Sequence, residues 1–185
     1  KETRINVSLN LDGSGVSDIA TGIGFFDHML DALARHGLMD IQVACDGDLH
    51  VDGHHSVEDV GICLGRAFKQ ALATADGITR YGSAFVPMDE ALVQVILDLS
   101  GRSFYSADFV IPQAQIGSFD SCLVDEFMRA FAYNAGITLH IRQLAGTNGH
   151  HIIEAAFKAL AQALRQAVTV DPRIHGTLST KGSID

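Results

Sequence analysis

The chain has 185 residues, 47% hydrophobic and 19% charged, the composition of a folded globular domain and not of a disordered or collagen-like chain. Its 13 basic and 22 acidic residues give a formal charge of -9, which opposes a nucleic-acid footprint or a polybasic membrane attachment. The three cysteines form no Cys-x-x-Cys pair, no apolar stretch reaches a bilayer span, and the polar start Lys1-Glu2-Thr3-Arg4 is not a signal peptide, so a cytoplasmic protein with no disulfide framework is expected.

Alternation of Ile5, Val7, Leu9 and Leu11 predicts a strand that ends at Gly13-Ser14-Gly15. That glycine pair opens no helix, so it reads as a hairpin turn and not a nucleotide loop. A helix is predicted over about 26 to 36, with Phe26, Met29, Leu30 and Leu33 on one stripe and Gly37 as its stop. A strand follows at 40 to 44. The next helix starts at His54-His55 and buries Val57, Val60, Leu64, Ala67 and Ala71. In the second half, a strand runs from Leu92 to Leu99 and a helix from roughly 118 to 134, ending before Gly136. A strand over 137 to 142 alternates Ile137, Leu139 and Ile141 against Thr138, His140 and Arg142. The last helix starts at His150-His151 and buries Ile153, Ala156, Leu160, Ala163 and Ala167.

The two halves resemble each other. His54-His55-Ser56-Val57-Glu58 aligns with His150-His151-Ile152-Ile153-Glu154, residues 6–13 with 94–101, and 23–27 with 116–120. We read a duplicated module, residues 1–87 and 88–185, together forming one compact domain. Each module is expected to hold an antiparallel or mixed sheet with two helices on one face, an α+β fold.

The duplicated His-His-x-x-Glu carries the chemistry. Histidine and glutamate in clusters are ligands for borderline metals, and two copies related by a repeat favour a metal function over coincidental surface polarity. Adjacent imidazoles diverge by about 100° on a helix and face different partners, whereas the second histidine and the glutamate, three apart, share a side. Pseudo-twofold symmetry then suggests two sites. One takes His55, Glu58, His150 and His28, and its mirror takes His151, Glu154, His54 and His140. His36, His50 and His175 are left as surface or helix-end residues. Three imidazoles and one carboxylate suit Mn, Fe, Zn or Ni alike.

The scarce cations add to this. Lys158 stands four residues beyond Glu154, the spacing of a salt bridge. Ser179-Thr180-Lys181-Gly182 offers hydroxyl, amine and backbone donors for a phosphate. Arg80 and Arg102 occupy turns, where a guanidinium either clamps an anion or is solvated.

Taken together, Gly24-Phe25-Phe26-Asp27-His28-Met29-Leu30, Gly53-His54-His55-Ser56-Val57-Glu58-Asp59, Met88-Asp89-Glu90-Ala91-Leu92, Asp98-Leu99-Ser100-Gly101-Arg102, His150-His151-Ile152-Ile153-Glu154-Ala155 and Ser179-Thr180-Lys181-Gly182 resemble the imidazoleglycerol-phosphate dehydratase family of histidine biosynthesis. The match runs in order along essentially the whole chain, departing at Gly24, where a proline is common, and at Gly53, where an acid is common. The resemblance implies a duplicated α+β fold of the ribosomal protein S5 domain 2-like kind and two Mn ions per active site. It also implies a homo-oligomeric shell of 24 subunits built from trimers, with active sites at subunit interfaces. It implies dehydration of D-erythro-imidazole glycerol phosphate, a small phosphorylated imidazole, to imidazole acetol phosphate, and involves neither nucleic acid nor membrane. It matches His28, His54, His55, Glu58, His140, His150, His151 and Glu154 to the metal ligands, with His54, Glu58, His150 and Glu154 also catalytic. Arg80, Arg102, Lys158, Ser179 and Lys181 match the phosphate holders, and Glu2 the mobile acid/base residue.

The chemistry agrees. The hydrogen to be removed is barely acidic, and no carbonyl adjoins it. An imidazole held through both nitrogens by two cations would react as its imidazolate and expel the neighbouring hydroxyl, while Glu2 moves protons. A dinuclear metallohydrolase and a non-enzymatic metal-storage shell are the other readings of the histidines.

Overall fold

The structure is a computed structural model that describes residues 2–182; Lys1 and the last residues of the second expected module lie outside them. Three strands and two helices come first: β1 (Thr3–Asn10), β2 (Ser17–Ala20), α1 (Gly24–Gly37), β3 (Asp40–Gly47) and α2 (His54–Leu72). Then follow β4 (Tyr81–Met88), β5 (Ala91–Asp98), β6 (Phe104–Asp108), the short pair β7 (Gln115–Ile116) and β8 (Phe119–Asp120), α3 (Leu123–Ala135), β9 (Thr138–Ala145) and α4 (Gly149–Val168).

The first sheet has the order β1-β3-β2 and the second β4-β5-β9-β6. β1 runs antiparallel to β3 and β2 parallel to it; likewise β5 runs antiparallel to β9 and β6 parallel to it. The sheets are therefore mixed, the second of the two expected alternatives. A helical crossover is what parallel neighbours require, and α1 and α3 supply it between β2 and β3 and between β6 and β9. The order and sense of β5-β9-β6 repeat those of β1-β3-β2, and β4 is an added edge strand.

The Gly13-Ser14-Gly15 turn is not a hairpin, because β1 and β2 lie on opposite sides of β3. Its backbone is held instead by Asp40, whose Oδ1 accepts the N–H groups of Ser14 and Val16. The helix expected from 118 starts at Leu123. Residues 115–120 form the β7–β8 hairpin, whose Phe119 turns inward against Phe25 and Phe26. Asp125 and Glu126 then occupy the first turn of α3, where acidic side chains suit the helix dipole.

Each sheet buries one face under helices, and the helices of the two sheets pack on each other, α1 on α4 and α2 on α3. All four helices thus lie between the sheets. A chain of rings, Phe26, Phe127, Phe157, Phe131 and Phe68, fills the centre with centroid spacings of 5.2 to 6.2 Å. The α2–α3 crossing is close because Gly65 faces it: a Cβ there would stand 2.7 Å from the Phe131 carbonyl oxygen. α4 is buried on nearly all sides, with fully buried alanines such as Ala155, Ala159 and Ala163 between α1 and the second sheet. Both double-histidine motifs fall at the first turns of the helices, α2 and α4, that follow the central strands β3 and β9.

Candidate metal and phosphate sites

Asn148 caps α4, its side chain accepting the backbone N–H of His150. One turn later Glu154 comes back beneath that imidazole, with Nε2 of His150 3.0 Å from Oε2 of Glu154. α1 lies along α4, and so delivers His28, whose Nε2 is 3.3 Å from the same oxygen. The three ligand atoms lie within 4.8 Å of one another, and no other cluster of this kind occurs among the described residues. Two imidazoles and one carboxylate are a donor set that fits a divalent cation of the Mn to Zn series.

The pairing differs from the expected one. Glu154 pairs with the first histidine of its motif and not the second, and His28 joins Glu154 and not Glu58. The reason is helical geometry: four residues bring a side chain to within about 40° of its starting direction, three leave it about 60° away. α2 behaves alike, with His54 Nε2 3.5 Å from Glu58 Oε2. The second histidines turn to other carboxylates. His55 Nδ1 is 2.9 Å from Asp48 Oδ2, and His151 Nδ1 is 2.7 Å from Glu90 Oε2.

The electrostatics follow. Burial alone would push the Glu154 carboxyl up, but the hydrogen bond and charge of Lys158 and the bond to His28 hold it below its ordinary range. His55 and His151 are raised by their bonds to Asp48 and Glu90. Glu90 is drawn down to about 2 by His151 and then by the backbone N–H groups of Asn148 and Thr147.

Other expected residues are scattered. Glu2 is exposed, with Oε2 4.0 Å from Nε2 of His55, so the chain start does reach one motif. His140 stands on the outer face of the second sheet against Phe104, at 5.4 Å between centroids, and among the described residues nothing joins it to either dyad of this chain. Lys158 is paired with Glu154, at 2.6 Å, and does not line the basic cavity. That cavity, of about 920 Å³, brings together Arg80, Arg102, Ser179 and Lys181, joined by Arg173 and His175. Arg80 is largely engaged there: its Nε and Nη2 grip Asp98 at 2.7 and 3.0 Å, and Nη1 donates to the Leu178 carbonyl at 2.6 Å. It thus ties the segment bearing Ser179 and Lys181 to the sheet. Sequence reasoning did not find Asp48, Glu90, Asp98 or Arg173 as site residues. Only Glu90 and Asp98 carried a signal, as members of the quoted motifs.

The profile of the imidazoleglycerol-phosphate dehydratase family matches residues 21–164. The chain is 60% identical over 185 residues to the imidazoleglycerol-phosphate dehydratase of Nitrobacter hamburgensis, covering 100% of this chain and 94% of that one. It is 58% identical over 183 residues to that of Clostridium botulinum (strain Langeland), covering 99% and 93%. Among solved structures, the Staphylococcus aureus enzyme superposes with a TM-score of 0.85 at 38% identity, over 91% of this chain and 95% of that one. The Pyrococcus furiosus enzyme in complex with (S)-C348 gives 0.84 at 39% identity, over 99% and 97%. Fold, motifs and full-length identity agree, and the chain belongs to the imidazoleglycerol-phosphate dehydratase family, the hydro-lyases that act in histidine biosynthesis.

Proposed function

We propose that this chain dehydrates D-erythro-imidazole glycerol phosphate to imidazole acetol phosphate in a metal-dependent reaction, with two Mn ions per active site. The convergence of His28, His150 and Glu154 on one point carries this reading. A second cation would take His54 and Glu58, and His55, His140 and His151 would complete the two sets from neighbouring subunits. When bound, the cations would polarise both ring nitrogens so that the substrate reacts as its electron-rich imidazolate.

The chain's own residues do the rest. Arg102, Lys181 and the Ser179 hydroxyl hold the phosphate in the basic cavity, with Arg80 fixing the segment that carries two of them; Lys158 acts through Glu154. Anchoring the remote end orients the reacting carbons. The hydroxyl leaves the carbon next to the ring as water, with the proton that the ring N–H gives up; the next carbon loses its hydrogen, and the enol becomes the ketone as the carbon next to the ring gains one. Glu2, exposed beside His55, takes and returns the proton.

Sites divided among subunits need an assembly, which we propose to be a cytoplasmic 24-mer built from trimers, acting on this small substrate with no nucleic-acid or membrane partner. Exposed Tyr81, Phe85, Ile96 and Phe104 on the outer face of the second sheet support burial against a further copy. No helix among the described residues is long and apolar enough to cross a membrane. The repeated order of β1-β3-β2 and β5-β9-β6 supports a duplication, with residues 1–87 and 88–185 proposed as its two modules and β4 crossing from the first into the second sheet.

The test is anaerobic incubation of metal-free and Mn-loaded protein with the substrate, following the acetol product. Product from the loaded protein alone is expected; unchanged substrate with fully loaded protein sinks the reading.

A further inference from the structure

The second histidine of each motif is held in the same way by carboxylates that come from unrelated places. Asp48 lies in the loop just after β3, seven residues before His55. Glu90 lies in the β4–β5 turn, 61 residues before His151. The element that corresponds to β3 in the second half is β9, and the loop after it supplies no such carboxylate to His151. Duplication therefore does not account for the common contact, because the two halves reach it through different elements.

The chemistry of the contact is definite. An ionised carboxylate only accepts, so each Nδ1 carries the hydrogen. In the neutral ring the lone pair is then on Nε2, which is the atom left to bind a cation, and its direction is fixed by the Nδ1 bond.

Both carboxylates are themselves held. Glu90 uses its second oxygen, Oε1, to accept the N–H groups of Thr147 and Asn148 at 3.1 and 2.8 Å, which ties the turn to the cap of α4. Asp48 is placed by packing: β3 ends at Gly47, where a Cβ would stand 2.1 Å from Ser56 Oγ in the first turn of α2. The other oxygen of Asp48, Oδ1, is buried with no hydrogen-bond partner. A buried acceptor left unmatched is costly, so Oδ1 contributes nothing to holding Asp48 where it is. Its one strong partner is His55.

We propose that Asp48 and Glu90 are positioning residues, which fix the tautomer and aim of His55 and His151 so that Nε2 of each is presented to a divalent cation. This rests on the metal-dependent reading above.

The structural asymmetry gives a clean test. Glu90 also supports the α4 cap, whereas Asp48 makes no backbone anchor that its loss would break, so Asp48→Ala is the decisive variant. The assembled full chain is stripped of metal and titrated with MnCl2, free Mn(II) being read by its electron paramagnetic resonance signal. Thermal unfolding of the metal-free protein is followed in parallel. We expect Asp48→Ala to weaken one class of Mn site about tenfold to a hundredfold with the metal-free unfolding temperature unchanged. Asp48→Asn, whose amide oxygen still accepts the Nδ1 hydrogen, recovers most of the affinity. Glu90→Ala weakens the other class, and Glu90→Gln recovers it. Wild-type affinity in both alanine variants overturns the proposal while leaving the metal reading intact. So does a loss that follows the unfolding temperature and is not rescued by Asn or Gln. A wild-type protein that binds no Mn overturns the metal reading itself, and the proposal with it.

Discussion

Nζ of Lys158 lies 2.6 Å from Oε1 of Glu154, the carboxylate oxygen that the two imidazoles do not use. Glu154 has 8% of its side chain exposed, so its charge is matched by a cation inside the protein and not by water. Removing one partner of such a pair strands the other. Lys158→Met is expected to lower the stability of the metal-free protein by about 2 kcal/mol, below the figure for a fully buried pair because Lys158 is 21% exposed. A cation on Oε2 would restore the missing charge. Calorimetry with and without Mn should therefore show a smaller loss in the loaded protein; equal losses would mean that Glu154 does not meet the metal.

The doubled motif was legible because it is local, and so were His28, His150 and Glu154 as candidate ligands; the pairing among them was not. His151 is nearer to Glu154 along the chain than His150, three residues against four, and only the helical angle decides for the i, i+4 pair. His28 reaches Glu154 because α1 packs on α4, a tertiary fact with no local trace. Among the elements, β1 and β5 announce themselves by alternation, but β4 does not. Its inward Gly82, Ala84 and Val86 alternate with outward Tyr81, Phe85 and Pro87, so both faces are apolar or small and the period vanishes. The four residues of β2 are too few to show one.

Tyr105 on β6 donates to Asp125 Oδ1 at 2.8 Å. Burial, reinforced by that carboxylate, pushes its phenol well above the ordinary value of 10.0. In the unfolded chain the phenol ionises near pH 10, whereas the folded protein keeps it neutral. The stability it contributes is therefore complete below about pH 10 and is lost as the pH rises towards the folded value. The slope is at most about 1.4 kcal/mol per pH unit. Tyr105→Phe should cost about 1 kcal/mol at neutral pH, through the lost hydrogen bond, yet show a shallower alkaline decline. Urea midpoints at pH 8 and pH 11 test this; parallel losses in both proteins would contradict it.

Gly82 marks where β4 touches α4. A Cβ there would stand 1.9 Å from the Ala163 carbonyl oxygen and 2.7 Å from its carbon, and both are backbone atoms of a buried helix. Neither can swing aside as a side chain would. Gly82→Ala is expected to cost about 3 kcal/mol or more by forcing the edge strand from the helix. Gly24→Ala is the control, since nothing lies within 4 Å of its Cβ position, and its effect should stay within about 0.5 kcal/mol. Denaturant unfolding of the two variants settles the comparison, and a mild Gly82→Ala would show that the contact can relax.

Arg80 and Asp98 form a nearly buried bidentate pair whose remaining donor holds the Leu178 carbonyl, and so the segment that lines the phosphate cavity. Arg80 alone cannot be removed cleanly, because Asp98 would keep a charge without its partner. The double variant Arg80→Met, Asp98→Leu removes both charges, leaving the core comparatively undisturbed while the tail loses its anchor. A hydrogen bond from a charged donor is worth about 1.5 kcal/mol, which is about a tenfold increase in local opening. Trypsin should then cut after Arg173 about ten times faster, seen by mass spectrometry of the released segment, with the global unfolding midpoint little changed. The same variant should raise KM for the phosphorylated substrate far more than it lowers kcat, because the donors of Ser179 and Lys181 would have to be ordered on binding. Cleavage at the wild-type rate would mean that the tail is held by its other contacts, such as the bond from Thr177 to Asp76, and that Arg80 is free to serve the phosphate directly.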